Sequence, residues 1–158
     1  MSSHYYLDKQ LNSNWCWAAV TCSLARYYGR SAYTDQKEVV YKTIGTTCGC
    51  DGAGCGECNR PWHIGEVLAA ADLLQEAIPA AVDKNDLLAQ LQMHKPVVIV
   101  VMWRNGVAGH LLVISEVTAD EQLVIWDSRE AGFSMVSFEA LKIGYPASTS
   151  WVNTFYTG

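Results

Sequence analysis

Apolar residues recur at helical spacing in the first half of the chain and at strand spacing in the second. From Trp15 to Tyr28 they run almost unbroken, which predicts a helix over 15–28 ended by Gly29 in a left-handed turn. Asp35 followed by Glu38 has the form of a capping box and predicts a helix reaching Ile44. Residues 45–58 are rich in Gly and Cys and read as a loop. Asn59 and Pro61 predict the start of a helix running to Ala77, with proline at a favoured early position. Asp83 predicts the cap of a helix from Lys84 to His94, stopped by Pro96.

Beyond Pro96 the period changes. Val97–Trp103 is β-branched and apolar on both faces, the pattern of a central strand. Arg104-Asn105-Gly106 supplies a turn, and two strands follow, Leu111–Val117 and Leu123–Trp126, joined by the polar Thr118–Glu121. Phe133–Val136 predicts a further strand, Phe138–Ile143 a short helix and Trp151–Tyr156 the last strand. Helices first and an antiparallel sheet second is the α+β class.

A chain of 158 residues predicts a single domain over 1–158. Half of the residues are hydrophobic and 17% are charged, a globular balance. The net charge of −5 comes without any Lys/Arg stripe, which argues against nucleic acid or an anionic membrane as partner. The longest apolar run is too short to span a bilayer, and the N-terminus has neither a basic region nor an apolar signal core. The expectation is a protein without a Sec signal, either cytoplasmic or delivered by a specialised route.

Candidate chemistry concentrates in Gln10-Leu11-Asn12-Ser13-Asn14-Trp15-Cys16-Trp17. Cys16 falls where loop becomes apolar helix, and the partial positive charge of a helix start favours a thiolate. Gln10 lies six residues upstream, close enough for a loop to carry its amide beside the sulfur. A nucleophile with donors aimed at a developing oxyanion is what acyl transfer needs. A cysteine between two tryptophans also suits a core, so a base and its orienter decide the matter. Of the four histidines, His4, His63 and His94 lie in the leading segment, near a helix start and at a helix end. His110 opens the apolar strand Leu111-Leu112-Val113-Ile114, where a polar ring is costly unless paired or used. Asp127 ends the following strand. If Val117 pairs with Gln122, Asp127 lies opposite Leu112, on the face that His110 shares. A slip of one residue would separate the two.

The Gln10 and Cys16-Trp17 segment resembles the nucleophile region of papain-like cysteine proteases, and Gly109-His110 with Asp127 resembles the second half of their triad. The resemblance spans most of the chain. It is nearest to bacterial members that use Asp as third residue, the double-glycine leader peptidases and injected effector proteases, although Ser128 stands where a proline often follows the Asp. It implies a papain-like fold, with the nucleophile helix packed against a C-terminal antiparallel sheet. It also implies a cysteine endopeptidase with Cys16 as nucleophile, His110 as base and Asp127 as its orienter. Gln10 and the Cys16 backbone N–H would bind the oxyanion, with no cofactor. The partners implied are a protein substrate, with Gly-Gly as the suggested cleavage site, and an immunity protein if the enzyme is a toxin. The alternative is a transglutaminase or glutamine-deamidase toxin using the same triad.

Cys48, Cys50, Cys55 and Cys58 crowd into eleven residues. Disulfides, a structural zinc site and free thiols all remain open from the residues alone. The resemblance implies a staple of the fold there, not a second active site. Cys22 reads as core. Trp15 and Trp17 read as core packing, with shaping of a substrate cleft as the alternative.

Overall fold

Three helices come first, α1 (Cys16–Tyr27), α2 (Gln36–Ile44) and α3 (Ile64–Ala70). After them come β1 (Leu74–Ile78), α4 (Lys84–Gln92), β2 (Val97–Trp103), β3 (Gly109–Val117), β4 (Gln122–Trp126), β5 (Phe133–Ser137), α5 (Phe138–Gly144) and β6 (Thr149–Thr157). The class is α+β, as the patterning predicts. The computed structural model describes residues 4–45, 56–103, 109–145 and 149–158. The turn at Arg104–Gly106 and the cysteines at 48, 50 and 55 lie outside them. Backbone packing divides the chain into two compact units, Met1–Leu73 with Ser128–Ala131, and Leu74–Asp127 with Gly132–Gly158. Among the described residues no helix is long and apolar enough to cross a membrane.

In the first unit, α1 is buried along its length except at Cys16 and Arg26. Its end is a Schellman turn. Gly29 takes φ +69° and donates to the Arg26 carbonyl, while Arg30 N–H returns to Ala25. Asp35 caps α2 by accepting from Glu38 N–H at 2.8 Å. The box does not close on Asp35, because the Glu38 carboxylate accepts instead from Thr34 N–H at 2.9 Å. Bonds from the Tyr33 and Thr34 backbone hold that carboxyl below its ordinary range.

The helix expected from Asn59 to Ala77 is corrected. The chain is irregular over 59–63, helical only over Ile64–Ala70, and extended from Leu74. Asp72 ends the helix at φ +56° in the same Schellman geometry, with Leu73 N–H bonded to the Leu68 carbonyl. An Asp in that role is a weaker signal than the glycine that ends α1. α4 likewise stops at Gln92, short of His94, because His94 itself takes the left-handed turn at φ +58°.

The second unit carries a six-stranded sheet in the order β1-β6-β2-β3-β4-β5, antiparallel at every pair. Val97, Ile99 and Val101 of β2, Leu112 and Ile114 of β3, and Leu123 and Ile125 of β4 form one buried cluster. Leu87 and Leu91 of α4 and Leu141 of α5 belong to it. Val98 and Val113, on the opposite face, are fully buried too, which accounts for a β2 that is apolar at every position.

Candidate active site

Cys16 is the first residue of α1, a partly exposed thiol outside any disulfide. No side chain caps this end of the helix and no acidic residue sits in its first turn. The first N–H groups of the helix thus keep the partial positive charge that favours an anion beside them.

The approach to Cys16 is fixed from both sides. Trp15 and Trp17 are buried, and each indole N–H donates to a backbone carbonyl, Trp15 to Cys58 at 2.8 Å and Trp17 to Arg60 at 3.0 Å. Asn59, between those two acceptors, accepts from Asn14 N–H at 2.9 Å and donates to Ser13 Oγ at 2.9 Å. The Asn59 carbonyl accepts from the Asn14 amide. The stretch read from sequence as a helix start is thus an irregular brace for the nucleophile loop. Cys58, just before it, is disulfide-bonded. A disulfide sulfur has no thiolate to offer a metal. Among the described residues no group of His, Cys, Asp and Glu is placed to hold a metal ion.

Gln10 holds the same loop from inside. Its side-chain Nε2 donates to the Asn12 carbonyl at 2.9 Å and to the Ser13 carbonyl at 2.7 Å. Its Oε1 accepts from the Ser128 hydroxyl at 2.8 Å, and its backbone N–H donates to the Ser128 carbonyl at 2.8 Å. Ser128 is fully buried. The sequence offered only its position after Asp127 as a signal. Cys22, farther along α1, is fully buried, and burial pushes its thiol up to about 11.

In the second unit the structure brings His110 and Asp127 together. His110 Nε2 donates to Asp127 Oδ1 at 2.5 Å, with the histidine side chain 1% exposed and the aspartate 25%. The other ring nitrogen, Nδ1, is buried and has no hydrogen-bond partner among the described residues. A carboxylate on Nε2–H leaves Nδ1 as the basic lone pair of the neutral ring.

The register that makes this pair differs from the expected one. Val117 pairs with Leu123, not with Gln122. A bulge between Ile114 and Glu116 then takes up one residue, so that Ile114 pairs with Ile125 and Val113 with Trp126. One more step sets Asp127 opposite Leu112, on the His110 face. The bulged residue, Ser115, accepts through Oγ from the Trp126 indole at 2.9 Å.

The family described as papain-like cysteine protease AvrRpt2 matches residues 3–142. Among solved structures, one similar fold is the peptidase domain of Streptococcus ComA, a bifunctional ABC transporter involved in a quorum-sensing pathway. The match has a TM-score of 0.59 at 18% identity and covers 98% of each chain. At that identity the likeness speaks for the fold. No curated protein matches the sequence.

Proposed function

This chain belongs to the papain-like cysteine protease family, and from that premise we propose an endopeptidase in which Cys16, His110, Asp127 and Gln10 act on one protein substrate. The observation that carries the assignment is the His110 ring, with Nε2 committed to Asp127 and a buried Nδ1 left without a partner. A base oriented by a carboxylate on one nitrogen and open on the other is what a thiol nucleophile requires.

The reaction runs in two halves. His110 Nδ1 takes the thiol proton, and Cys16 Sγ attacks the scissile carbonyl carbon. The oxyanion is met by the Cys16 backbone N–H and by one Gln10 amide hydrogen, which leaves a carbonyl of its own loop to do so. His110 then gives its proton to the departing amine, leaving a thioester. In the second half His110 takes a proton from water, the hydroxide attacks the thioester, and the thiolate leaves with the proton returned to the pair. Asp127 fixes the tautomer and stabilises the imidazolium throughout. No cofactor enters.

A protein substrate, a preference for Gly-Gly sites, delivery into a target cell and an immunity protein in the producer complete the proposal. Their support is the resemblance of the Gln10–Trp17 and His110–Asp127 segments to bacterial proteases of those kinds. The deciding experiment incubates wild type and Cys16→Ala with a cell lysate and reads new protein N-termini by mass spectrometry. New termini with the wild type alone identify the protease, its substrate and its cleavage motif. Intact proteins gaining about one dalton or crosslinked, without new termini, overturn the reading in favour of a deamidase or transglutaminase.

A further inference from the structure

A groove of about 520 Å³ opens beside β1, α4 and β6, lined by Glu76, Asp83, Asp86, Ile78, Ala89 and Tyr156, among others. Its lining holds three carboxylates and no Lys, Arg or His. None of the three carboxylates has an ion-pair partner among the described residues. The nearby Lys84 is turned to Glu121 and Glu139 instead. Asp83 and Asp86 sit at the start of α4, where negative charge also serves the helix dipole. Glu76 on β1 has no such role.

Tyr156 supplies an independent observation. Its side chain is more than nine-tenths buried, but its hydroxyl is not among the buried polar atoms without a partner; it meets the open space of the groove. Burial, then Asp86, Glu76 and Asp83 in that order, hold its phenol above the ordinary tyrosine range, which places the oxygen within the field of all three carboxylates. The floor is apolar, with Ile78 and Ala89 beside the polar groups.

We propose that this groove binds a lysine or arginine side chain carried by an extended segment of a protein partner. The aliphatic stem lies on the apolar floor, and the cationic head meets the carboxylates and the Tyr156 hydroxyl. The volume suits one such side chain with its neighbours. The setting favours a peptide over a free amine, because β1 is the edge strand of the sheet and an extended chain running along it delivers side chains into the groove. Tyr156 pairs with Val97, whereas His110 pairs with Val101, whose other neighbour is Trp151. Five residues of β6, about 16 Å of strand, separate the two levels, so the groove is distinct from the His110–Asp127 pair. Binding here does not rest on the protease reading.

The test uses full-length Cys16→Ala, which cannot cleave the probe, and a blocked hexapeptide alternating valine with lysine. Its counterpart carries glutamine for lysine. Backbone amide shifts at Ile78, Asp86 and Ala89 are expected with the lysine peptide and not with the glutamine one. Glu76→Gln with Asp86→Asn is expected to raise Kd about tenfold or more, and Tyr156→Phe severalfold with Tm kept. Glu57→Gln with Glu130→Gln, which removes the same charge elsewhere, is expected to leave Kd unchanged. Equal weakening by both charge pairs, shifts outside the groove, no binding, or spermidine binding as tightly as the peptide would each overturn the proposal.

Discussion

Gln10 and Ser128 are joined by two reciprocal hydrogen bonds of 2.8 Å. The Gln10 backbone N–H donates to the Ser128 carbonyl, and the Ser128 hydroxyl donates to the Gln10 side-chain oxygen. The second bond orients the amide so that its NH2 group faces the loop before Cys16. Ser128 is thus a positioning residue for the proposed oxyanion donor. Ser128→Ala keeps the backbone bond and frees the amide to rotate. We expect a loss of about 1 kcal/mol in denaturant unfolding and about tenfold in kcat, with KM little changed. An unchanged kcat would show that the hydroxyl serves the fold alone.

Gln10 itself carries both duties, and two readouts separate them. Gln10→Ala removes the proposed oxyanion donor and the bonds to Asn12 and Ser13. Turnover is expected to fall by about 10²–10³, the scale of one such donor. Alkylation of Cys16 by iodoacetamide builds no oxyanion, so its rate is expected to stay within a few-fold. A parallel collapse of both rates would mean that the loop, and with it Cys16, has moved.

Removal of the His110 ring takes away the proposed base. His110→Ala is expected to cost about 10²–10⁴ in kcat/KM, the range for a general acid–base group. Asp127→Ala leaves a buried Nε2–H without its acceptor, at about 1–3 kcal/mol of stability. Urea unfolding of Asp127→Ala beside the double variant with His110→Ala measures this. The double variant is expected to recover part of the stability, because the orphaned donor has gone. Equal stabilities of the two variants would mean that the unpartnered Nε2–H carries no cost.

Much of this was legible in the sequence, and the failures have local causes. The α1 and α2 signals were strong, a glycine after one helix and an Asp before the other, and both helices stand within a residue of the expected bounds. The helix expected over 59–77 fails at both ends, at Asn59 and at Asp72. Asp72 takes a left-handed turn, and Asn59 braces Ser13 and Asn14 instead of capping. The pairing of His110 with Asp127 was reached through an assumed register that is off by one at the turn and restored by the bulge at Ser115. Nothing in Ile114-Ser115-Glu116 marks a bulge, since alternation alone allows a regular strand there.

That bulge is itself open to test. Deleting Ser115 removes the extra residue and gives β3 and β4 a regular ladder with the same partners, Ile114 opposite Ile125, Val113 opposite Trp126 and Asp127 still opposite Leu112. The variant is expected to keep the His110–Asp127 pair, and with it activity within about tenfold of wild type, while retaining a cooperative unfolding transition. Activity at the level of Asp127→Ala would show that the local twist of the bulge, and not the register alone, sets the pair.

Cys16 and Cys22 should behave in opposite ways, and pH separates them. Cys16 is partly exposed at a helix start, whereas Cys22 is fully buried with its thiol pushed up to about 11 from the ordinary 9.0. Near neutral pH iodoacetamide is expected to modify Cys16 and leave Cys22 intact until the protein unfolds, as peptide mapping would show. The raised value also sets a stability slope. Below about pH 9 the thiol is protonated in both states and contributes no pH dependence. Between about 9 and 11 the unfolded chain ionises first and binds fewer protons than the native one, so stability falls as pH rises, by about 2–3 kcal/mol in all. Burial also holds the Tyr5 phenol above its ordinary value, so it too favours a fall in stability at still higher pH. Comparison of urea midpoints for wild type and Cys22→Ala from pH 8 to 11 isolates the cysteine. The alanine variant is expected to lose less stability across that range, and parallel curves would show that Cys22 reaches solvent before the protein unfolds.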